Sequence, residues 1–295
     1  MKAMKFSKYT GLGNNFILVD QTCFSECISG SDISAAARKL CDPKFGIGAD
    51  GLIIVSESPL FMDIYNADGS RSSMCGNGIR CMAEYLFDSG KLPCDTVEYT
   101  IDTPSGTKHI RALGPVNNNG EFLVEVGMGI PEFSAKSIYI DEDGDFRRRS
   151  FDILDTKIIL TAVSTGCAHA IVWLDENPVT DAKSPMELYN DENIKLYGPA
   201  LCTHPVFTQG ANIDFARVTG KNEISMITWE RGSGLTAACG TGAAAAAIVG
   251  VEEKGLGSDV TVHLPYGKLS IRIADTGEVF MTGPARRVFT GEIEF

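Results

Sequence analysis

The stretch SMCGNGIRC at residues 73–81 has a counterpart further along the chain, AACGTGAAA at residues 237–245. Each contains Cys-Gly-x-Gly and leads into a segment of helical composition. The two cysteines, Cys75 and Cys239, lie 239 − 75 = 164 residues apart in a chain of 295. A polar segment precedes each motif, NADGSRSS before the first and ERGSGLTAA before the second. The repeat predicts a duplicated domain with one cysteine at the start of a helix in each half.

The rest of the chain consists mainly of short runs typical of strands, among them FILVD, GLIIV, FLVEVG, HAIVWL and ISMITWE, with turn residues between them. Few segments have helical character: around 32–41, 78–90, 185–193 and 242–253. Many strands and few helices predict an α+β fold in which a sheet wraps a helix. The boundary between the halves is expected near 125–130, within 113–150, where the pattern is weakest.

Composition limits the partners and the compartment. The net charge of −12 argues against nucleic acid or an anionic membrane surface as the main partner. The start, MKAMKFSKYTGLGNN, lacks the apolar region of a secretory signal, and the run AAAAAIVGV is too short to span a bilayer. The cytoplasm is therefore the expected location. Nine cysteines at irregular spacing do not form a disulfide framework, so most are expected to be reduced.

The Cys-Gly-x-Gly motif suggests acid–base chemistry. A helix start offers free N–H groups and the positive end of the helix dipole, which lower the pKa of a thiol and bind a carboxylate. Two thiols on opposite faces of one carbon would invert its configuration, with the helix starts stabilising the charge that develops. A single such motif is more often a turn with a buried cysteine. A Cys75–Cys239 disulfide would need an oxidising compartment, and the patterns of zinc sites and phosphate-binding loops are absent.

At these motifs the sequence resembles the diaminopimelate epimerase family. The matching segments are KYTGLGNNFILVD, FGIGADGLI, NADGSRSSMCGNGIRC, WERGSGLTAACGTGA and MTGPA, in the family's order and over nearly the whole chain. The resemblance implies two pseudo-symmetric domains, each a sheet around a central helix, with the active site in the cleft between them. It gives an N-terminal domain over 1–127, to which 285–295 returns, and a C-terminal domain over 128–284.

The resemblance implies an isomerase of lysine and peptidoglycan biosynthesis that interconverts LL- and meso-2,6-diaminopimelate with a thiolate and a thiol. No cofactor such as pyridoxal phosphate and no metal is expected. The expected partner is a small amino-acid substrate, with neither nucleic acid nor membrane involved. A homodimer is expected by analogy with the family.

Roles of individual residues also follow from the resemblance. Cys75 and Cys239 match the two proton-transfer thiols. Glu230 matches the residue that holds the α-amino group near them, and His169 matches a histidine that supports them. The positions that match substrate binders are Asn14, Asn66, Gly76, Asn77, Asn212, Glu230, Arg231, Gly240 and Thr241. Arg231 suits the distal carboxylate, because a planar guanidinium meets a carboxylate with two hydrogen bonds.

Without the resemblance, several of these residues have ordinary structural explanations. Asn14 and Asn66 would be turn residues, and His169 would be a histidine of the core. Glu230 and Arg231 would form a surface ion pair of little energetic value. Only Asn212, inside the apolar run ANIDFA, is unusual in itself, because a buried asparagine needs partners.

The chain departs from the family where Gly-Asn-Pro-His is usual, because it has Gly166-Cys167-Ala168-His169. The family's asparagine there helps to bind the distal end of the substrate, and a cysteine is a weaker hydrogen-bonding group. Two alternatives to diaminopimelate epimerization therefore stay open. One is cofactor-independent racemization of another amino acid, such as histidine, on the same scaffold. The other is a binding protein without catalytic activity.

Overall fold

The computed structural model describes residues 3–28, 32–93, 95–116 and 120–294. Tertiary contacts divide the chain into two compact units. The first unit is Met1–Val126 with Thr282–Phe295, and the second unit is Gly127–Met281. Among the described residues, no helix is both long and apolar enough to cross a membrane.

The first unit is built from short strands and three helices. Its strands are β1 (Ala3–Gly11), β2 (Asn14–Asp20), β3 (Gly51–Glu57), β4 (Leu60–Asn66), β5 (Arg71–Ser72), β6 (Glu98–Ile101), β7 (Lys108–Val116) and most of β8 (Glu121–Gly129). Its helices are α1 (Gln21–Cys27), α2 (Ile33–Cys41) and α3 (Gly76–Asp88). Most of the last strand, β17 (Val279–Glu294), also belongs to this unit and pairs with β1.

The second unit has the same mixture of elements. Its strands are β9 (Arg149–Ile153), β10 (Thr156–Ser164), β11 (Ala168–Trp173), β12 (Asn212–Gly220), β13 (Glu223–Glu230), β14 (Gly234–Thr236), β15 (Asp259–Leu264), β16 (Gly267–Ile273) and the start of β17. Its helices are α4 (Pro185–Asn190), α5 (Glu192–Cys202) and α6 (Gly240–Lys254), with a 3₁₀ turn over Ala135–Ile138.

The two units repeat one strand topology, which confirms the duplication predicted from the motifs. In the first, β1–β2 is antiparallel, β2–β3 parallel, and β3–β4 and β4–β5 antiparallel. In the second, β10–β11 is antiparallel, β11–β12 parallel, and β12–β13 and β13–β14 antiparallel. The buried helix with its cysteine follows β5 in one unit and β14 in the other.

The strand register identifies equivalent positions in the two units. Phe16 pairs with Gly51 across β2 and β3, as His169 pairs with Asn212 across β11 and β12. Counting along each strand from these pairs makes Asn14 equivalent to Cys167. Counting back from the cysteines makes Asn66 equivalent to Glu230, because each lies nine residues before the cysteine of its unit.

Helices α3 and α6 form the centre of their units, as the fold class predicted. All residues of α3 from Gly76 to Leu86 are buried, and so are those of α6 from Gly242 to Gly250. Helix α6 contacts β10, β11, β12, β13, β15 and β16. The buried stretch of α6 is apolar all round, and its run of alanines lets the strands approach closely.

The helical prediction was incomplete in two places. Helix α1 was not predicted, because it has seven residues and buries only Phe24. The segment 185–193 is not one helix but contains the whole of α4 and the start of α5. The break lies at Asp191, whose carboxylate accepts from the backbone N–H groups of Asn193 and Ile194 and so caps a new helix.

Candidate functional site

In the first unit, Cys75 is the N-cap residue of α3. Its backbone is extended (φ −143°, ψ 116°), and its Sγ accepts a hydrogen bond from the N–H of Gly78 at 3.4 Å. The thiol therefore occupies the position at which a serine or aspartate usually caps a helix. The half-buried sulfur lies where the free N–H groups of the first turn favour negative charge.

A buried arginine organises the polar residues around Cys75. Arg80 has no exposed surface, and its guanidinium donates to Gly76 O (2.9 Å), Asn77 Oδ1 (2.7 Å) and Pro284 O (3.1 Å). Asn77 in turn donates through Nδ2 to Asn14 Oδ1 at 2.7 Å. Burial lowers the pKa of Arg80 to about 10, so the group remains charged at neutral pH. The chain of contacts fixes two predicted substrate binders, Asn77 and Asn14, beside the start of α3.

Sequence reasoning missed Arg80, although a lone cation in the apolar helix GIRCMAEYLF was a signal. Asn66, by contrast, is exposed at the end of β4. Its Nδ2 donates to Ser70 Oγ at 2.9 Å, and its carbonyl accepts from the N–H of Gly69. Its described contacts are therefore those of a turn.

In the second unit, Cys239 is the N-cap residue of α6, again with an extended backbone (φ −122°, ψ 111°). Its sulfur is buried and lies 3.4 Å from the hydroxyl of Thr241. Burial raises the pKa of Cys239 well above that of an ordinary cysteine, and the nearby carboxylates of Glu230 and Asp214 raise it further. The structure therefore holds Cys239 as a neutral thiol, ready to donate a proton.

His169 is connected to Cys239 through a hydroxyl group. Its Nδ1 lies 2.7 Å from Asp214 Oδ2, and both side chains are fully buried. Its Nε2 lies 2.9 Å from Thr241 Oγ1, the same hydroxyl that contacts Cys239. Burial lowers the pKa of His169, but the carboxylate of Asp214 and the sulfur of Cys167 together outweigh it and raise the pKa well above the ordinary value. These partners favour the imidazolium form of His169, in which both nitrogens donate.

The remaining predicted residues of the second unit belong to the same cluster. Asn212 is buried, accepts from the backbone N–H of Arg231 at 2.8 Å, and has Nδ2 3.4 Å from His169 Nε2. Glu230 accepts from Thr236 Oγ1 at 2.5 Å, and burial raises its pKa. The exposed guanidinium of Arg231 donates to Gln209 O at 2.8 Å.

The second glycine of each motif reveals what lies beneath each helix start. A Cβ on Gly78 would come within 3.1 Å of Ile53 and 3.2 Å of Ile64. On Gly242 it would come within 2.4 Å of Asp214 Oδ1 and 3.0 Å of Thr228 Oγ1. The first unit therefore places an apolar pair under its helix, and the second unit a polar pair.

Thr228 and Asp214 are joined directly, because the Thr228 hydroxyl donates to Asp214 Oδ1 at 2.6 Å. Sequence reasoning missed both residues. An aspartate in the buried strand run NIDFA was the available signal, because a buried charge needs partners. Among the residues that the structure describes, no three His, Cys, Asp or Glu side chains are grouped as a metal site requires.

A family model and curated relatives match this chain over almost its whole length. The family model described as Diaminopimelate epimerase matches residues 6–134 and 161–288. The diaminopimelate epimerase of Pelotomaculum thermopropionicum is 38% identical over 296 residues, covering 99% of each chain. That of Halothermothrix orenii is 38% identical over 299 residues, covering 98% of each. A solved PhzF-family phenazine biosynthesis protein of Bacillus anthracis shares the fold, with a TM-score of 0.66 at 17% identity and full coverage of both chains. The chain belongs to the diaminopimelate epimerase family.

Proposed function

We propose that the protein is an isomerase that interconverts LL- and meso-2,6-diaminopimelate by proton transfer at the α-carbon. The observation that carries the proposal is the matched pair of helix starts in a chain of this family. Cys75 is the N-cap residue of the buried helix in one unit, and Cys239 is the N-cap residue of the buried helix in the other. Neither unit alone supplies the two groups that inversion requires.

The chemistry needs one thiolate and one thiol. A thiolate removes the α-proton, the electron pair of the C–H bond moves into the adjacent carboxylate, and the thiol delivers its proton to the opposite face. Free N–H groups at the helix starts stabilise the charge that develops. No electrons are gained or lost, and the product leaves with the roles of the two sulfurs exchanged. The buried, neutral Cys239 is suited to be the proton donor in the resting state.

The other residues are proposed to hold the substrate. Glu230 would bind the α-amino group, and Arg231 the distal carboxylate. His169 would act through Thr241, whose hydroxyl lies between the imidazole and the sulfur of Cys239. The remaining proposed substrate contacts are Asn14, Asn66, Gly76, Asn77, Asn212 and Gly240.

The proposed setting is the cytoplasm, where a reducing environment keeps both sulfurs free, as the reaction requires. A homodimer remains a proposal by analogy with the family.

The test is α-hydrogen exchange in deuterated water, followed by NMR. LL-diaminopimelate, L-histidine, L-lysine and L-glutamate are incubated separately with the protein, and with a Cys239→Ala control. Exchange with diaminopimelate that disappears in the control supports the proposal. Exchange confined to histidine would instead establish a racemase of that amino acid. No exchange with any of the four, together with binding of diaminopimelate, would establish a binding protein.

A further inference from the structure

Position 167 brings a second thiol, besides that of Cys239, to the cluster around His169 and Thr241 in the second unit. Cys167 is equivalent, by strand register, to Asn14 of the first unit. Asn14 accepts from Asn77, and Cys167 Sγ lies 3.5 Å from Thr241 Oγ1, which is the equivalent contact. The chain therefore has a nucleophilic sulfur where its own repeat has an amide.

The neighbours of Cys167 arrange it as a nucleophile. Its Sγ lies 3.3 Å from His169 Nε2, and His169 Nδ1 lies 2.7 Å from Asp214 Oδ2. A thiol, an imidazole and a carboxylate in this order are the arrangement that activates cysteine nucleophiles. Asn212 Nδ2 also donates towards the sulfur, at 3.5 Å.

The charges around the sulfur favour the thiolate. Burial alone would raise the pKa of Cys167, but the imidazolium of His169 and the hydroxyl of Thr241 outweigh it and lower the pKa below the ordinary value. The carboxylate of Glu230 on β13 opposes this effect and raises the pKa of Cys167. Cys239, at the start of α6, has its pKa raised in the same cluster, so the surroundings shift the pKa values of Cys167 and Cys239 in opposite directions.

The chain next to Cys167 is open to solvent. Cys167 is half-buried, whereas Cys239 is buried. The preceding residue, Gly166, is exposed, and nothing lies within 4 Å of the position where its Cβ would be. The fully buried partners His169 and Asp214 remain fixed behind the sulfur.

We propose that Cys167 is a covalent modification site of the second unit that reacts with hydroperoxides to form a sulfenic acid. The proposal goes beyond the proposed function, which assigns no chemistry to this sulfur. A hydroperoxide fits the site better than other electrophiles, because its leaving oxygen needs a proton and the imidazolium that supplies it lies beside the attacking sulfur.

The step balances with hydrogen peroxide as the oxidant. The Cys167 thiolate attacks one oxygen, an S–O bond forms, and the O–O bond breaks. The sulfur is oxidised by two electrons and the peroxide is reduced. Hydroxide leaves, takes the proton from His169 Nε2 and becomes water. The products are a sulfenic acid, one water molecule and a neutral imidazole, and added thiol reduces the sulfenic acid again.

The experiment uses the full chain and reads peptide masses. The reduced protein is treated with hydrogen peroxide at pH 6.5 in the presence of dimedone, which traps sulfenic acids, and is then digested with trypsin. Trypsin separates the relevant thiols, with Cys75 on peptide 72–80, Cys167 on 158–183, Cys202 on 196–217 and Cys239 on 232–254. Buried Cys202, whose pKa is raised by burial, is the internal control.

We expect dimedone on peptide 158–183 at least about tenfold faster than on 196–217, since the rate follows the thiolate fraction. The rate for Cys167 should rise less steeply between pH 6.5 and 8.5 than that for Cys202, and Cys167→Ser should lose the label. In Asp214→Asn, which removes the charge that holds the imidazolium, the label at pH 6.5 should fall about tenfold.

Two results would overturn the proposal. One is an unlabelled peptide 158–183 while the peptide of Cys75 or Cys239 carries the label. The other is a rate at Cys167 that rises with pH as that of an ordinary cysteine does, and this measurement needs only the wild-type protein. Because the readout is a mass, it does not depend on epimerization, and each proposal can fail without the other.

Discussion

Cys75 and Cys239 begin equivalent helices, but different residues pack beneath the first turns of these helices. Beneath the first turn of α3 are the side chains of Ile53 and Ile64, and beneath that of α6 are Asp214 and Thr228. A carboxylate below one sulfur and an apolar surface below the other make the two thiols inequivalent before any substrate arrives. A two-base reaction benefits from that difference, because it needs one thiol and one thiolate at the start.

Asp214→Asn tests the carboxylate as a positioning residue. The substitution should lower the pKa of His169 towards its ordinary value, because the carboxylate that raises it is gone. It should also lower kcat for epimerization at least about tenfold, since His169 would no longer hold Thr241 as an imidazolium. NMR titration of His169 and the pH profile of kcat provide the measurements.

Thr228→Val is the matched control, because it removes one hydrogen bond to Asp214 and keeps the charge. A clearly smaller change in the pKa of His169 is expected for this variant. An unchanged pKa of His169 in Asp214→Asn would rule out the positioning role.

Glu84 on α3 should make the stability of the first unit depend on pH. Its side chain is buried, and burial raises its pKa to about 7. Between pH 4.5 and 7 the folded protein keeps a proton that the unfolded chain releases, so the free energy of unfolding falls as pH rises through this window. Glu84→Gln should remove this loss, which amounts to about 3 kcal/mol at most.

Urea unfolding of both proteins at pH 4.5, 6 and 7.5 measures the difference. The exposed Glu98 provides the control through Glu98→Gln, which should leave the pH dependence as it is in the wild type. Parallel stability curves for the wild type and Glu84→Gln would contradict the prediction.

The first turns of α3 and α6 pack closely on the side chains beneath Gly78 and Gly242. In Gly242→Ala the new Cβ would meet Asp214 Oδ1, which His169 and Thr228 hold in place. In Gly78→Ala the new Cβ would meet the ends of two isoleucine side chains, which can move. We expect Gly242→Ala to lose about 1–3 kcal/mol of unfolding free energy, and Gly78→Ala clearly less.

The two glycine variants control for each other, because both add one methyl group at the same position of the motif. Urea unfolding gives the stabilities, and α-hydrogen exchange gives the activities. Equal losses of unfolding free energy in the two variants would contradict the prediction, because the polar pair under α6 would then move as easily as the apolar pair under α3.

The whole chain is needed for the proposed reaction, because each unit contributes one cysteine. Cys75→Ala and Cys239→Ala should each abolish conversion of LL- to meso-diaminopimelate while leaving the circular dichroism spectrum unchanged. The matched control is Cys23→Ala, at a half-buried cysteine of α1, which should retain activity. Full activity in either of the first two variants would disprove the two-thiol mechanism.

Much of this architecture could be predicted from the sequence. The motifs at Cys75 and Cys239 indicated two helices with a cysteine at each start, and the structure confirms both. The prediction was wrong where local signals are weak, namely at the short helix α1 and at the break between helices at Asp191. Their boundaries depend on caps and tertiary packing more than on hydrophobic periodicity.

The sequence by itself determined the two helix starts and the residue types around them, because a cap and its first turn are formed by neighbours in the chain. Only the tertiary structure decided which residues support each sulfur. His169 and Asp214 are 45 residues apart in the chain, and they meet because β11 and β12 pair in parallel with His169 opposite Asn212. Arg80 likewise contacts Pro284 from a distant part of the chain. Such contacts follow from strand register and burial, which local sequence does not encode.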